Sequence, residues 1–451
     1  MKRDLHVLVV ATALGLAVGS GLLVKAQTEQ KVLPPEARYW MGATTGGGML
    51  ALGALGNSGK PSMATMMKMA SGGMPTESRS LLLKLGSTLP ADKGEPEAFH
   101  TMPPGAQVNK PIFLASPQPG GPGGSSVGGY TQPKGQISFY WGCGEKAGPG
   151  QPVVLSFDKL LRGENEPELE ALQGSVTGRE VRKPSVTNSK TYSDWPNSNK
   201  QNNDLQAAFP AGSTLEGQHT IQANYAPKID FALPADKSFM DPVRYTSSTA
   251  QPSGAIALSW NGSTRATGYS VGVMAPQKAN DDSANIVMWS SANRPSTFIQ
   301  QEDLTPAEVK RLIGLNAVLP PTTTNCAVPA EVVKATKEGS MLMFTAFGDE
   351  ATFIYPPRPS DRTVTWDQSW FSRVSFKSVR MDLISPSGVH DPLAGAAGAT
   401  DKTMSDEEYC KALEERQAPS VADAVPGGRL LRRFGKKKEE APVDPRCVKK
   451  P

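Results

Sequence analysis

The stretch Gln251-Pro252-Ser253-Gly254-Ala255-Ile256-Ala257-Leu258-Ser259-Trp260 fixes the fold class. Turn residues lead into a run whose larger apolar side chains, Ile256, Leu258 and Trp260, alternate with Ala257 and Ser259. That period of two puts one set of side chains on one face of a strand. The stretch has an echo at an ungapped offset of 119 residues. Gln132, Pro133, Gly135, Ile137, Trp141, Ala147 and Val154 recur as Gln251, Pro252, Gly254, Ile256, Trp260, Ala266 and Val273, seven identities in 24 aligned positions. Average amino-acid usage gives about one or two. In both copies an Ile and a Trp stand four apart, on the same face of a strand, and an inward Trp among alternating apolar residues seeds a sandwich core.

Outward from this echo, short apolar runs broken by turn residues read as strands at Gln136 to Trp141, Pro152 to Phe157, His219 to Tyr225 and Lys228 to Leu233. A second group follows at Ala255 to Trp260, Tyr269 to Met274, Ile286 to Trp289, Glu331 to Thr336, Met341 to Phe347, Ala351 to Tyr355 and Trp370 to Ile384. Lys337-Glu338-Gly339 between two of these predicts a hairpin. Thr305-Pro306-Ala307-Glu308 opens a short helix with a hydroxyl cap, a Pro in the first turn and a Glu placed to reach back, with Leu304 and Val309 as a staple and Gly314 as its end. Ser405 with Glu408 opens another through about Arg416. The expected fold is therefore mainly β, with tandem β-sandwich-like domains, a few short helices and disordered flanks.

Lys2 and Arg3 precede an apolar run from Val7 to Val24, and Val24-Lys25-Ala26 then leads to Gln27. This is a signal-peptide pattern that predicts cleavage after Ala26; at 18 residues the run also reaches the lower limit for a membrane anchor. The expected organisation is a signal peptide at 1–26, a low-complexity region with a Gly/Pro linker at 27–129, β domains at 130–235 and 236–400, and a short helix with a basic tail at 401–451. Cys143, Cys326, Cys410 and Cys447 are an even set suited to an oxidising compartment. Three pairings are possible. Cys410 with Cys447 is favoured, because that segment gains most from a staple.

At Trp260, Ala266, Gly268 and Tyr269 the chain resembles a fibronectin type III module, in which a Trp on one strand and a Tyr on the next pack across two sheets. Ala37-Arg38-Tyr39-Trp40-Met41, Leu85-Gly86-Ser87, Met102-Pro103-Pro104-Gly105, Trp141-Gly142-Cys143-Gly144 and Asp194-Trp195-Pro196-Asn197 resemble segments of uncharacterised bacterial exported proteins. Neither resemblance implies an activity.

Catalysis needs a nucleophile, a base and an orienting partner, or metal ligands at fixed spacing. His100, His219 and His390 are scattered, with no His-x-x-x-His or Cys-x-x-Cys spacing, no Gly-x-Ser-x-Gly elbow and no phosphate-cradling loop. His390-Asp391 reads as a surface turn. Thr65-Met66-Met67-Lys68 matches a loose Ser/Thr-x-x-Lys pattern without companions. Met63, Met66, Met67 and Met69 offer soft sulfur ligands but read better as adaptable apolar filler. Asn261-Gly262-Ser263 reads as a turn rather than a glycosylation acceptor.

The net charge is +4, yet residues 429–451 hold nine Lys/Arg against three acids. Arg429, Arg432, Arg433, Lys436, Lys437 and Lys438 surround Leu430, Leu431 and Phe434, a segment suited to anionic lipid or polysaccharide. The expectation is a non-catalytic exported envelope or secreted protein, a β-sandwich scaffold or binding module with that tail on an anionic surface. Its partner would be that surface or another envelope protein, with no nucleic acid and no small-molecule cofactor. The alternative is a hydrolase of envelope material with an unrecognised site.

Overall fold

A computed structural model describes residues 30–51, 76–116, 135–162, 178–196, 208–280, 283–295, 304–336 and 340–390. The chain is mainly β, built from several sheets and a few short helices. In chain order the strands are β1 Ala37–Gly48, β2 Glu77–Ser87, β3 Ala98–Thr101, β4 Ile112–Leu114, β5 Gln136–Trp141, β6 Val153–Ser156, β7 Thr191–Trp195, β8 Ala208–Phe209 and β9 Gly217–Ala223. They continue with β10 Ile229–Leu233, β11 Tyr245–Ala250, β12 Ile256–Trp260, β13 Gly268–Asn280, β14 Ser283–Ser290, β15 Asn325–Val328, β16 Met341–Tyr355, β17 Trp370–Ser385 and β18 Gly388–His390. The helices are α1 Phe157–Arg162, α2 Pro306–Gly314 and α3 Ala330–Ala335.

An 11-stranded sheet runs β6-β5-β14-β13-β16-β17-β1-β2-β7, with β18 added on β17 and β8 on β2. A four-stranded sheet runs β10-β9-β3-β4 and a three-stranded sheet β11-β12-β15. The large sheet takes β5 and β6 from 130–235, β13, β14, β16 and β17 from 236–400, and β1 and β2 from the region expected to be low in complexity. The boundary expected at residue 235 therefore runs through a sheet.

At its centre β1 pairs in parallel with β17, Ala37 beside Trp370 through Gly48 beside Met381, and antiparallel with β2. Tyr39, Trp40 and Met41 are buried consecutively, so both faces of β1 are covered. An interior strand of this kind has no polar face and shows no alternation. One hydrophobic core joins all three sheets: Tyr39, Leu83, Val271, Phe344 and Val374 meet Ile112, Ile221 and Phe231 of the four-stranded sheet and Ile256, Leu258 and Trp260 of the three-stranded one. Phe347, of opposite parity to Phe344, packs in a second cluster with Leu304, Val309 and Leu312 around α2.

The Thr305 hydroxyl accepts from the Glu308 amide at 3.0 Å, as the cap predicts. Glu308 does not reach back; its carboxylate binds Arg311 at 2.6 Å and the Arg179 amide at 2.8 Å. The left-handed residue past the helix is Asn316, not Gly314. Glu331 to Thr336, expected as a strand, is instead α3 with Thr336 as its C-cap. This removes the expected hairpin across 337–339. The two runs at 341–347 and 351–355 are one strand, β16, with a register shift between Phe347 and Glu350. Gly348 sits in that bulge, where an added Cβ would collide with the Phe376 carbonyl.

The tryptophans aligned by the echo are not equivalent. Trp141 is half-buried at the end of β5, where its backbone N–H and C=O bind the Gln151 side chain at 2.9 and 3.0 Å. Trp260 is 2% exposed on β12, in a different sheet, and packs edge-on against Tyr269 and Phe344 at 5.7 and 4.8 Å. The Trp260–Tyr269 contact thus runs between the three-stranded sheet and the 11-stranded one. Trp260→Ala is expected to destabilise the fold by about 3–5 kcal/mol, and Trp141→Ala by under about 2 kcal/mol, in equilibrium urea unfolding.

Candidate functional site

Two histidines that lie 119 residues apart in sequence meet in the core. His100 stands on β3 and His219 on β9, each at an inward position of the four-stranded sheet, and Tyr39 reaches them from β1. The Tyr39 hydroxyl lies 2.6 Å from His100 Nδ1, His100 Nε2 lies 2.9 Å from His219 Nδ1, and His219 Nε2 lies 2.7 Å from the Leu215 carbonyl. That carbonyl can only accept, so His219 donates from Nε2 and accepts at Nδ1. The same logic passes along the chain: His100 donates from Nε2, and the Tyr39 hydroxyl donates to its Nδ1. Every member is neutral and both rings are satisfied.

Burial holds the histidines neutral. It pushes the His100 pKa well below the usual range, and the neighbouring His219 adds to this. Burial lowers His219 to about 4, partly opposed by its bond to the Leu215 carbonyl. Burial likewise raises Tyr39, with Tyr225 adding to it. Phe231 stacks on His219 at 5.0 Å and Phe353 on Phe231 at 4.8 Å, so aromatic rings close the assembly. Tyr39, His100 and His219 are all 0% exposed, so no substrate reaches them. The arrangement binds β1 to the four-stranded sheet by a polar chain that only one pair of tautomers satisfies.

Open polar surface lies elsewhere. A cleft of about 320 Å³ is lined by Arg244, Tyr245, Ser248, Arg380 and Val389. Arg380 is held by two 2.8 Å bonds to the buried Asp382 and lies over the Tyr245 ring. A smaller cavity of about 30 Å³ lies beside Phe347, Asp349 and Phe376. Burial raises the Asp349 pKa, but its bonds to Arg265 at 2.7 Å and to Lys237 prevail and hold it below the carboxylate range. Among the described residues no group of three His, Cys, Asp or Glu is placed to hold a metal ion.

Cys143, in the loop after β5, is disulfide-bonded to Cys326 on β15. The bond ties the large sheet to the three-stranded one. Cys410 and Cys447, the pair favoured from the sequence, lie outside the described residues, as do Arg429, Arg432, Arg433, Lys436, Lys437 and Lys438 of the tail. The Met63 to Met69 cluster and Thr65 to Lys68 lie outside them too. His390 is exposed on β18, and its Nε2 lies 2.8 Å from the Ser385 hydroxyl and 2.9 Å from that of Ser387. Asn261-Gly262-Ser263 is a loop, and the turn itself spans Ser263 to Ala266. Sequence spacing did not join His100 to His219; the available signal was parity, since His219 shares the inward face of β9 with Ile221.

No family model matches the chain, and neither a curated protein nor a solved structure matches it.

The unfolded chain, whose histidines titrate near 6.5, takes up protons that the folded core refuses. Stability from these groups is thus complete above about pH 6.5 and is lost as the pH falls, at up to about 2.7 kcal/mol per pH unit for two histidines. Urea midpoints between pH 7.5 and 4.5 should fall with acidification; a flat profile would show that the histidines protonate in the folded state. Tyr39→Phe should cost about 1–3 kcal/mol, because it leaves the His100 acceptor unpaired.

Proposed function

We propose that the chain is an exported, non-catalytic protein of the cell envelope or the exterior, a β scaffold or binding module whose basic tail engages an anionic surface. The observation that carries this reading is the Cys143–Cys326 disulfide, which joins positions 183 residues apart and two sheets of one core. Such bonds persist in oxidising compartments and are rare in the cytosol. The Lys2-Arg3 start and the apolar run to Val24 point the same way. The non-catalytic reading rests on the sealing of the histidine chain, the arrangement most like a catalytic relay, inside the core. Among the described residues, the open cleft at Arg244 and Arg380 has no histidine or carboxylate among its lining residues. The partner is an anionic envelope surface or another envelope protein, without nucleic acid or a small-molecule cofactor.

Thiol titration of the purified protein, unfolded without reductant, should find neither Cys143 nor Cys326 reactive, and mass spectrometry should find Gln27 at the mature N-terminus. Replacing both cysteines with Ala should cost about 3–5 kcal/mol, in line with the long loop that the bond closes. Free thiols in protein recovered from its native compartment would remove the main support for export.

The tail makes its own prediction. Attraction between exposed charges weakens as the Debye length shrinks from about 10 Å at 0.1 M salt to about 3 Å at 1 M. Sedimentation with anionic vesicles should therefore show salt-sensitive binding that is lost in a chain ending at Gly428. Equal binding by the two chains would leave the tail without this role.

A further inference from the structure

Asn261-Gly262 is the sole Asn-Gly step in the chain, and it stands where β12 leaves the core. Trp260, just before it, is packed inward and donates its amide to the Thr324 carbonyl at 2.9 Å. The Asn261 amide donates to the Arg244 carbonyl at 3.4 Å, and the Ser263 amide to the Tyr269 hydroxyl at 3.0 Å. Tyr269 is itself buried on β13. The step is thus fixed at one end by the three-stranded sheet and at the other by the 11-stranded one, while Asn261 and Gly262 are both exposed.

The groups between those ends have no such hold. Among the described residues neither the Asn261 side chain nor the Gly262 amide has a hydrogen-bond partner. Other asparagines differ. Asn188, also followed by a small residue, accepts at Oδ1 from the Ser185 amide at 2.9 Å and donates from Nδ2 to the Lys183 carbonyl at 2.7 Å. Asn224 accepts from the Glu97 amide at 2.9 Å and donates to the Lys93 and Glu95 carbonyls at 2.9 and 2.8 Å. With no Cβ, Gly262 lets its nitrogen approach the Asn261 amide from conformations closed to other residues. The fold does not itself require a glycine there: its φ is not positive, and an added Cβ would meet the Tyr269 hydroxyl at 3.8 Å, an ordinary contact.

We propose that Asn261 deamidates spontaneously in the folded protein, through a succinimide, to a mixture of aspartate and isoaspartate. Asn is one of the thermolabile residues, and water is the only co-reactant the conversion needs. The Gly262 nitrogen gives up its proton to solvent and bonds to Asn261 Cγ; the Cγ–Nδ2 bond breaks, and Nδ2 takes up a proton and leaves as ammonia. Water then adds to one of the two ring carbonyls. Breaking the new Cγ–N bond restores the main chain with an aspartate, and breaking the original peptide bond leaves an isoaspartate, its main chain longer by one methylene. Either product carries a carboxylate at 261, across the ladder end from Arg244, where cross-strand side chains stand about 5 Å apart. Arg244 lines the open cleft with Arg380, and its guanidinium lies 3.8 Å from Glu77. The modification therefore brings a negative charge to the edge of a cleft that has none among its described lining residues.

The test is peptide mapping of the full chain by mass spectrometry after storage in mildly alkaline and in mildly acidic buffer, with electron-transfer fragmentation to tell isoaspartate from aspartate. The peptide that holds Asn261 should gain the mass difference between amide and acid, with isoaspartate in excess, and should convert several-fold faster in the alkaline sample. The Asn188 peptide from the same digest should keep its amide. Gly262→Ala should slow the conversion several-fold while leaving the urea midpoint in place, because the added Cβ fits the fold but hinders ring closure. Conversion in the urea-unfolded chain alone, with the amide intact in the folded one, would show that the fold shields the step and would overturn the proposal. Equal loss at Asn188, or an unaltered rate in Gly262→Ala, would do the same. So would aspartate without isoaspartate in the unsubstituted chain, since that excludes the ring.

Discussion

Twelve consecutive residues of β1 lie in parallel register against β17, from Ala37 beside Trp370 to Gly48 beside Met381. The partners are separated by most of the chain, and the entropy of closing so long a loop is met only when the whole interior strand is paired and covered. β2, β7 and β8 join the large sheet only through β1. Tyr39, on the same strand, carries the polar chain into the four-stranded sheet. An early segment therefore waits for a late one, a topology of high contact order and slow folding. For a chain exported from its N-terminus, as proposed, β1 arrives long before its partner.

The sequence was most legible where a strand has one wet face. In β9 and β10 buried and exposed positions alternate, and both runs were read as strands from the sequence. β1 escaped because Tyr39-Trp40-Met41 and the Gly-rich end that follows are covered on both faces, so no period survives. β7 escaped inside a polar stretch, yet it holds the fully buried Trp195. In α3, Val332 and Val333 resemble a strand, and six residues are too few to show a helical period. The echo between Ile137-Trp141 and Ile256-Trp260 reflects what any strand entering a core looks like, since one Trp is half out and the other fully in.

The site was less legible, for a related reason. Motif reading depends on ligands or catalytic groups close in sequence, whereas His100 and His219 meet only because β3 pairs with β9. A resemblance to catalytic chemistry in the core also differs from its presence. Tyr39, His100, His219 and the Leu215 carbonyl form a continuous line of donors and acceptors, but with no open end the line has no direction in which to pass a proton. It restricts the core to one protonation pattern and one relative placement of two sheets. A polar network of this kind favours a unique arrangement over slippage between apolar faces.

β17 runs from Trp370 to Ser385, and β18 brings His390 level with Leu383. At about 3.3 Å per residue the strand ends beside Trp370 and the end of β18 at His390 are about 40 Å apart. Twelve register pairs with β1 and thirteen with β16 keep that distance from varying with thermal motion, as a flexible linker would let it do. The hairpin is in this sense a gauge. It sets a fixed gap between whatever meets the strand ends beside Trp370 and whatever meets His390, and a change of two residues in each of these strands would alter that gap by about 7 Å.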